Sequence, residues 1–174
     1  MTAAVSTSPR RRELDSMVGL FIFLGATAML FAALLLAYAI LRAQAPVWPP
    51  AGTPPFPRGA ATANTVVLLA ATLALRAART TDRRWPALAA AALAAMFLAL
   101  QGALWQHLAA TRLGPSAGAL GDVFFALSAF HALHVLGGLI VLAATRARRL
   151  RLLTIYWDFV LAVWIVIYVA VCLL

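Results

Sequence analysis

Cysteine occurs once in the 174 residues, at Cys172. A single thiol excludes a disulfide framework and any multi-cysteine metal site. Near the end of an apolar run, it reads as a packing or lipid-facing group. Lysine is absent, so arginine alone supplies the positive side of the net charge of +9. There are only 5 acidic residues and 3 histidines. No pair of carboxylates shares a face, as general acid–base work would require. The chain has no Walker loop, no GxGxxG and no internal repeat, so the phosphate and dinucleotide fingerprints are missing. Charged residues make up 11% of the chain and hydrophobic residues 64%. Mean hydropathy is +0.94. No soluble domain of this size hides that much apolar surface, so the class is a polytopic, all-α membrane protein.

What is present is a succession of apolar runs separated by arginine clusters. Residues 1–16 form a polar tail with Arg10, Arg11 and Arg12, read as partly disordered and ending at the membrane surface. The first run starts at Met17. It is too long for a signal-peptide core and has no clear cleavage site, so it reads as a retained helix. The expected spans lie at about 17–42, 60–78, 85–110, 121–145 and 152–174, within one membrane domain from 17 to 174. Each can cross a bilayer, for which about 20 apolar residues suffice. Between the first two lie Pro46, Pro49, Pro50, Pro54, Pro55 and Pro57 with Trp48, an extended, helix-hostile loop. The tight basic connection Arg79–Arg84 makes the second and third spans antiparallel neighbours.

Arginine placement sets the direction. The tail, the second connection with Arg76, and the fourth connection hold 3, 4 and 4 arginines; the first and third hold 2 and 1. The N-terminus is therefore expected in the cytoplasm and the C-terminus in the periplasm. Basic clusters in such loops are a topology signal rather than a nucleic-acid surface. An arginine- and alanine-rich chain without lysine suggests a GC-rich bacterial genome, hence a bacterial inner membrane.

The polar residues inside these runs need an account, because a polar ring at mid-membrane depth is costly unless it faces protein or water. His131 and His134 stand three apart in the stretch SAFHALHVLGG (Ser128–Gly138) and share one helix face. A copper or zinc site needs at least three ligands. The remaining histidine, His107, lies roughly 5 Å below the outer boundary, against roughly 15 and 20 Å for His131 and His134. Depth therefore argues against a three-histidine site, and no cofactor is expected in this chain. His131 reads as an interhelical hydrogen-bonding residue and Gln101 as a polar packing residue. Asp158 lies at a depth within roughly one helical turn of His134. It is expected to accept a hydrogen bond from His134 or His131, with pairing to an inner-loop arginine as the rival.

Five strings, in order, resemble the cytochrome c oxidase subunit III family in its five-helix form. GLFIFLGATAMLFAALLLAYAILR (Gly19–Arg42) is similar to the family's GMWLFLASEVMLFAGLFSAYLVLR. Asn64 and Thr65 precede LLAAT, near NTxxLLxSSxT. FLALQGALW (Phe97–Trp105) resembles FLxxQxxEW, SAFHALHVLGG resembles TGFHGLHVLIG, and YWDFVLAVWIVIY (Tyr156–Tyr168) resembles YWHFVDxVWLxLF.

The resemblance implies a non-catalytic subunit of a proton-translocating terminal oxidase in aerobic respiratory electron transport. It implies docking on subunit I, a complex with subunit II and cytochrome c, and phospholipid bound between helices. Haem and copper would belong to the partner subunits. His131, His134, Asp158, Gln101, Trp105, Asn64 and Trp157 are the structural polar and lipid-cleft candidates. The chain departs from the family pattern at several positions. Thr27 and Leu104 stand where the family has glutamates, and Asp158 and Leu161 where it has histidine and aspartate. The alternatives are the accessory subunit of a quinol oxidase or nitric oxide reductase and, in a different class, a small multi-pass transporter. The transporter is disfavoured by the lack of repeats and of a charged midplane pocket.

Overall fold

The computed structural model describes residues 9–48, 56–81, 84–111, 119–144 and 150–173. Expectations that rest on the first eight residues, on Pro49, Pro50, Pro54 and Pro55, and on Arg146, Arg148 and Arg149 lie outside the described residues. So does the side chain of Cys172.

The chain is an all-α membrane protein, and its described residues include five helices long and apolar enough to span a bilayer. They are α1 (Pro9–Gln44), α2 (Arg58–Thr80), α3 (Trp85–Ala110), α4 (Ala119–Ala144) and α5 (Leu150–Ile167). A π-helical segment, Tyr168–Leu173, continues α5. α1 starts earlier than expected, so residues 9–16 of the polar tail are helical. At 1.5 Å per residue α1 is about 54 Å long, against a hydrocarbon core of about 30 Å. Its ends must therefore project. That suits its exposed Arg10, Arg11 and Asp15.

Each helix buries residues on a seven-residue repeat. In α2 the series are Ala61, Leu68, Leu75 and Asn64, Ala71, Ala78. In α3 they are Ala90, Phe97, Leu104 and Ala94, Gln101, Leu108. In α5 they are Leu153, Val160, Ile167 and Trp157, Trp164, with Val171 beyond the end of the helix. α1 has the single series Leu24, Phe31, Tyr38. A strict seven-residue repeat on a helix of 3.6 residues per turn winds neighbours around each other with a left hand. Between lipid-solvated helices the drive is close contact rather than water exclusion, so small residues sit in the seams. The α2–α3 hairpin shows this: its seam holds Ala61, Ala71, Ala78, Ala90 and Ala94, all buried, and its interface is the most extensive in the bundle.

Paired contacts fix the directions. His131 and Gly138 of α4 meet Trp164 and Trp157 of α5, so these helices are antiparallel. Thr62, Thr65 and Arg76 of α2 meet Tyr168, Trp164 and Asp158 on the α5 side, also antiparallel. α1 is the least buried span, and among the described residues its main helix contacts are with α4 and α5. Beyond α1 the described part of the first loop folds back over the bundle. Trp48 meets Tyr38 at 5.7 Å between ring centroids, and Phe56 meets Phe124 at 5.1 Å.

Candidate functional site

The seam residues with polar atoms converge in the middle of the bundle. Two tryptophans are anchored by the same short relay. Trp105 Nε1 donates to Ser128 Oγ (2.9 Å), and Ser128 donates in turn to the Phe124 carbonyl (2.6 Å). Trp164 Nε1 donates to Thr65 Oγ1 (2.9 Å), which donates to the Ala61 carbonyl (2.8 Å). In both, a hydroxyl bonded to its own helix one turn back accepts the indole N–H of a neighbouring helix. That satisfies a buried donor without a charge. Asn64 Nδ2 donates to Gln101 Oε1 at 2.8 Å, tying α2 to α3.

His131 is buried and lies among rings from three other helices. Trp164 stands 4.9 Å away, Phe97 5.7 Å and Phe31 6.4 Å between centroids. His134, one turn on, is only partly buried. Its Nδ1 faces the Phe130 carbonyl at 2.6 Å. A carbonyl can only accept, so Nδ1 carries the proton. In the neutral ring, Nε2 then accepts from Thr27 Oγ1 at 3.4 Å. The position where the resemblance places a glutamate is thus filled by a hydroxyl that reaches His134 of α4.

The expected bond between Asp158 and the histidines is not formed. Asp158 Oδ1 pairs with Arg76, 2.9 Å from one terminal guanidinium nitrogen and 3.0 Å from Nε. A depth along the helix leaves the angle around it open. Asp158 follows Trp157 by one residue, about 100° around α5. Trp157 faces α4, and Asp158 turns toward α2. The rival pairing with an arginine is the one formed: Arg76, counted with the second connection, lies in the last turns of α2. What reaches His134 from α5 is Tyr156, whose hydroxyl donates to the His134 carbonyl at 2.7 Å.

The candidates therefore fall into separate places. Asn64 and Gln101 are joined, Trp105 joins Ser128, and Asp158 joins Arg76. Trp157 is fully buried against Gly138, with no partner for its Nε1 among the described residues. His107 is exposed near the end of α3. Among the described residues no three His, Cys, Asp or Glu side chains converge. Thr27, Ser128, Thr65, Tyr156 and Trp164 were not singled out as site residues. For Ser128, Thr65, Tyr156 and Trp164 the signal was the spacing, each within one turn of a candidate or on the same seam; Thr27, on α1, had only its place opposite the family's glutamate.

A cleft of about 470 Å³ opens between α1, α4 and α5, toward the end of the bundle that carries the start of α1. Leu20, Phe23, Gly137, Val141, Leu153 and Tyr156 line it, with Ser16 at one end. Phe23 forms the wall between this cleft and the histidines: its ring lies 6.1 Å from His134 and 6.2 Å from Tyr156.

Comparison with protein-family models gives no match. Comparison with curated proteins does. The chain is 31% identical over 179 residues to "Cytochrome c oxidase subunit 3" of Synechocystis sp., covering 91% of this chain and 75% of that protein. It is 34% identical over 169 residues to "Probable cytochrome c oxidase subunit 3" of Nocardia farcinica, with 85% and 82% covered. A third relative, "Cytochrome c oxidase subunit 3" of Thermostichus vulcanus, is 28% identical over 172 residues, with 87% and 83% covered.

Proposed function

The chain belongs to the cytochrome c oxidase subunit III family, and on that premise we propose that it is the non-catalytic helical subunit of a bacterial haem-copper terminal oxidase. In this reading it docks on subunit I, shares a complex with subunit II and cytochrome c, and holds phospholipid. Haem and copper reside in its partners, and it contributes no catalytic centre. It lies in the inner membrane with residues 1–16 and the N-terminus in the cytoplasm, and the C-terminus in the periplasm. Residues 17–174 form one membrane domain.

The observation that carries the reading is the match along 91% of the chain to a subunit 3 relative. The interior is consistent with a scaffold. Its polar side chains are spent on joining helices: α1 to α4, α2 to α3, α2 to α5 and α3 to α4. With Thr27 and Leu104 at the family's glutamate positions, no carboxylate is available there to relay protons. The cleft between α1, α4 and α5 suits an acyl chain. Arg10 and Arg151, both exposed near its end, suit the phosphate above that chain.

The test is purification of the tagged chain from native membranes with mild detergent. It should bring a haem-copper subunit in equal amount, a haem absorption spectrum, cytochrome c oxidation and retained phospholipid by native mass spectrometry. Recovery of the chain without any haem protein would overturn the reading. Quinol oxidation or nitric oxide reduction in place of cytochrome c oxidation would assign it to the corresponding relative complex.

A further inference from the structure

The middle of the bundle holds a layer of side chains whose hydrogen-bonding capacity exceeds what their neighbours supply. The bond between Asn64 and Gln101 uses one group of each amide. Asn64 Oδ1 and Gln101 Nε2 are left without a partner among the described residues, and so are both ring nitrogens of His131. The three side chains are 1%, 0% and 1% exposed. Exchanging oxygen and nitrogen on both amides keeps their mutual bond and still leaves one carbonyl and one amino group open.

Helix register places these groups at one level. Trp105 of α3 meets Ser128 of antiparallel α4. Gln101 lies four residues from Trp105 and His131 three from Ser128, steps of roughly 6 and 4.5 Å toward the same side of the membrane. Phe97, one turn from Gln101, touches the His131 ring. Trp164, whose ring is tilted against His131, donates to Thr65, the residue next to Asn64. Three helices thus bring their open polar groups to the same depth, with Trp164 of α5 packed beside them.

The open groups are complementary to a small, neutral partner that both donates and accepts. Gln101 offers N–H, Asn64 a carbonyl, and a neutral imidazole one donor and one acceptor. The layer's single imidazole has no second His, Cys, Asp or Glu among the described residues there to complete a metal's ligand set. Phe31, Phe97 and Trp164 wall the histidine. Lipid tails cannot satisfy such groups, and an amide left unmatched in an apolar setting is costly. Buried water characteristically makes two to four such bonds.

We propose that the Asn64–Gln101–His131 layer is a binding site for internal water, in which at least one molecule bridges Gln101 Nε2 and the His131 ring and completes the hydrogen bonding of Asn64. The bridge joins α2 and α3 to α4 at mid-membrane depth, behind the aromatic wall and apart from the cleft. The inference rests on these residues alone and not on the oxidase reading.

The test is an experimental structure of the chain in its native complex, at a resolution that shows ordered water, with the Gln101→Leu variant beside it. The expected result is a solvent peak within hydrogen-bond distance of both Gln101 and His131, lost in the variant. Absence of the peak from the unmodified protein, a direct Gln101–His131 bond in its place, or an unchanged peak in the variant would overturn the proposal. Should Gln101→Leu fail to assemble, Asn64→Leu replaces it, and the map of the unmodified protein still decides whether water is there.

Discussion

Two adjacent glycines in α4 should respond very differently to the same added methyl group. A Cβ on Gly138 would stand 2.8 Å from Tyr156 Cε1 and 3.0 Å from Trp157 Cε3, with Trp157 Cζ3 also in its way. Trp157 is fully buried, so its ring has nowhere to turn, and α4 and α5 must move apart. Overpacking of this kind costs about 1–3 kcal/mol. Displacing Tyr156 also weakens its bond to the His134 carbonyl, worth roughly another 0.5–1 kcal/mol between membrane helices. A loss of about 2–4 kcal/mol corresponds to a fall in melting temperature of about 5–15 °C for a chain of this size. At Gly137 the nearest atom to an added Cβ is the Tyr156 hydroxyl oxygen, 4.0 Å away. Gly137→Ala should therefore melt with the unmodified protein. Thermal unfolding of the purified complex in lipid nanodiscs, followed by aggregation of this subunit, measures both. Adding Trp157→Leu to Gly138→Ala should recover part of the loss by making room. Equal melting of Gly138→Ala and the unmodified protein, or equal damage at Gly137, would refute the close α4–α5 crossing.

Other substitutions test the remaining contacts. Thr27→Val should lower stability by roughly 0.5–1 kcal/mol through loss of the bond to His134, while Thr27→Ser retains it; comparison of the two melting curves isolates the hydroxyl. Arg76 and Asp158 are 55% and 38% exposed, so Asp158→Asn should cost no more than about 1 kcal/mol. It should also leave the ring nitrogen resonances of His134 unshifted; a shift there would revive the direct contact expected from depth. Reporter fusions after Thr53 and after Leu174 should both report the periplasm, and a cytoplasmic signal at either would overturn the orientation.

The spans were legible because a bilayer imposes length and apolarity, and uncharged runs between arginines are easily found. α3 begins and ends where the sequence put it, between Pro86 in its first turn and the loop after Ala110. The extra turns of α1 were not legible, because helical residues beyond the membrane carry no hydrophobic signal. Nor was the buried face of each helix. In a soluble protein the polar side marks the exterior, but here the outward-facing Ile22, Met29, Leu73 and Ile140 are as apolar as the core. The seven-residue recurrence of small, aromatic and polar residues was the remaining clue. The Asp158 assignment failed for a related reason. A rise of 1.5 Å per residue gives depth directly, but the neighbour in each direction depends on a rotation that a single sequence does not fix.

The way α1 is held also constrains how the subunit is made. From Arg10 to Phe23 none of its described side chains is buried, and the helices it mainly packs against are α4 and α5. The bond from Thr27 to His134 spans 107 positions of the chain. Ribosomes add about 5–20 residues per second, so α1 waits roughly 5–20 s for these partners to be synthesised. The α2–α3 hairpin closes in the meantime from adjacent sequence. α1 must therefore persist alone in lipid as a stable insertion, and its unbroken apolar surface permits this. Any factor that chaperones the nascent subunit would meet α1 with Thr27 still unpaired, before the chain has supplied the histidine that takes it up.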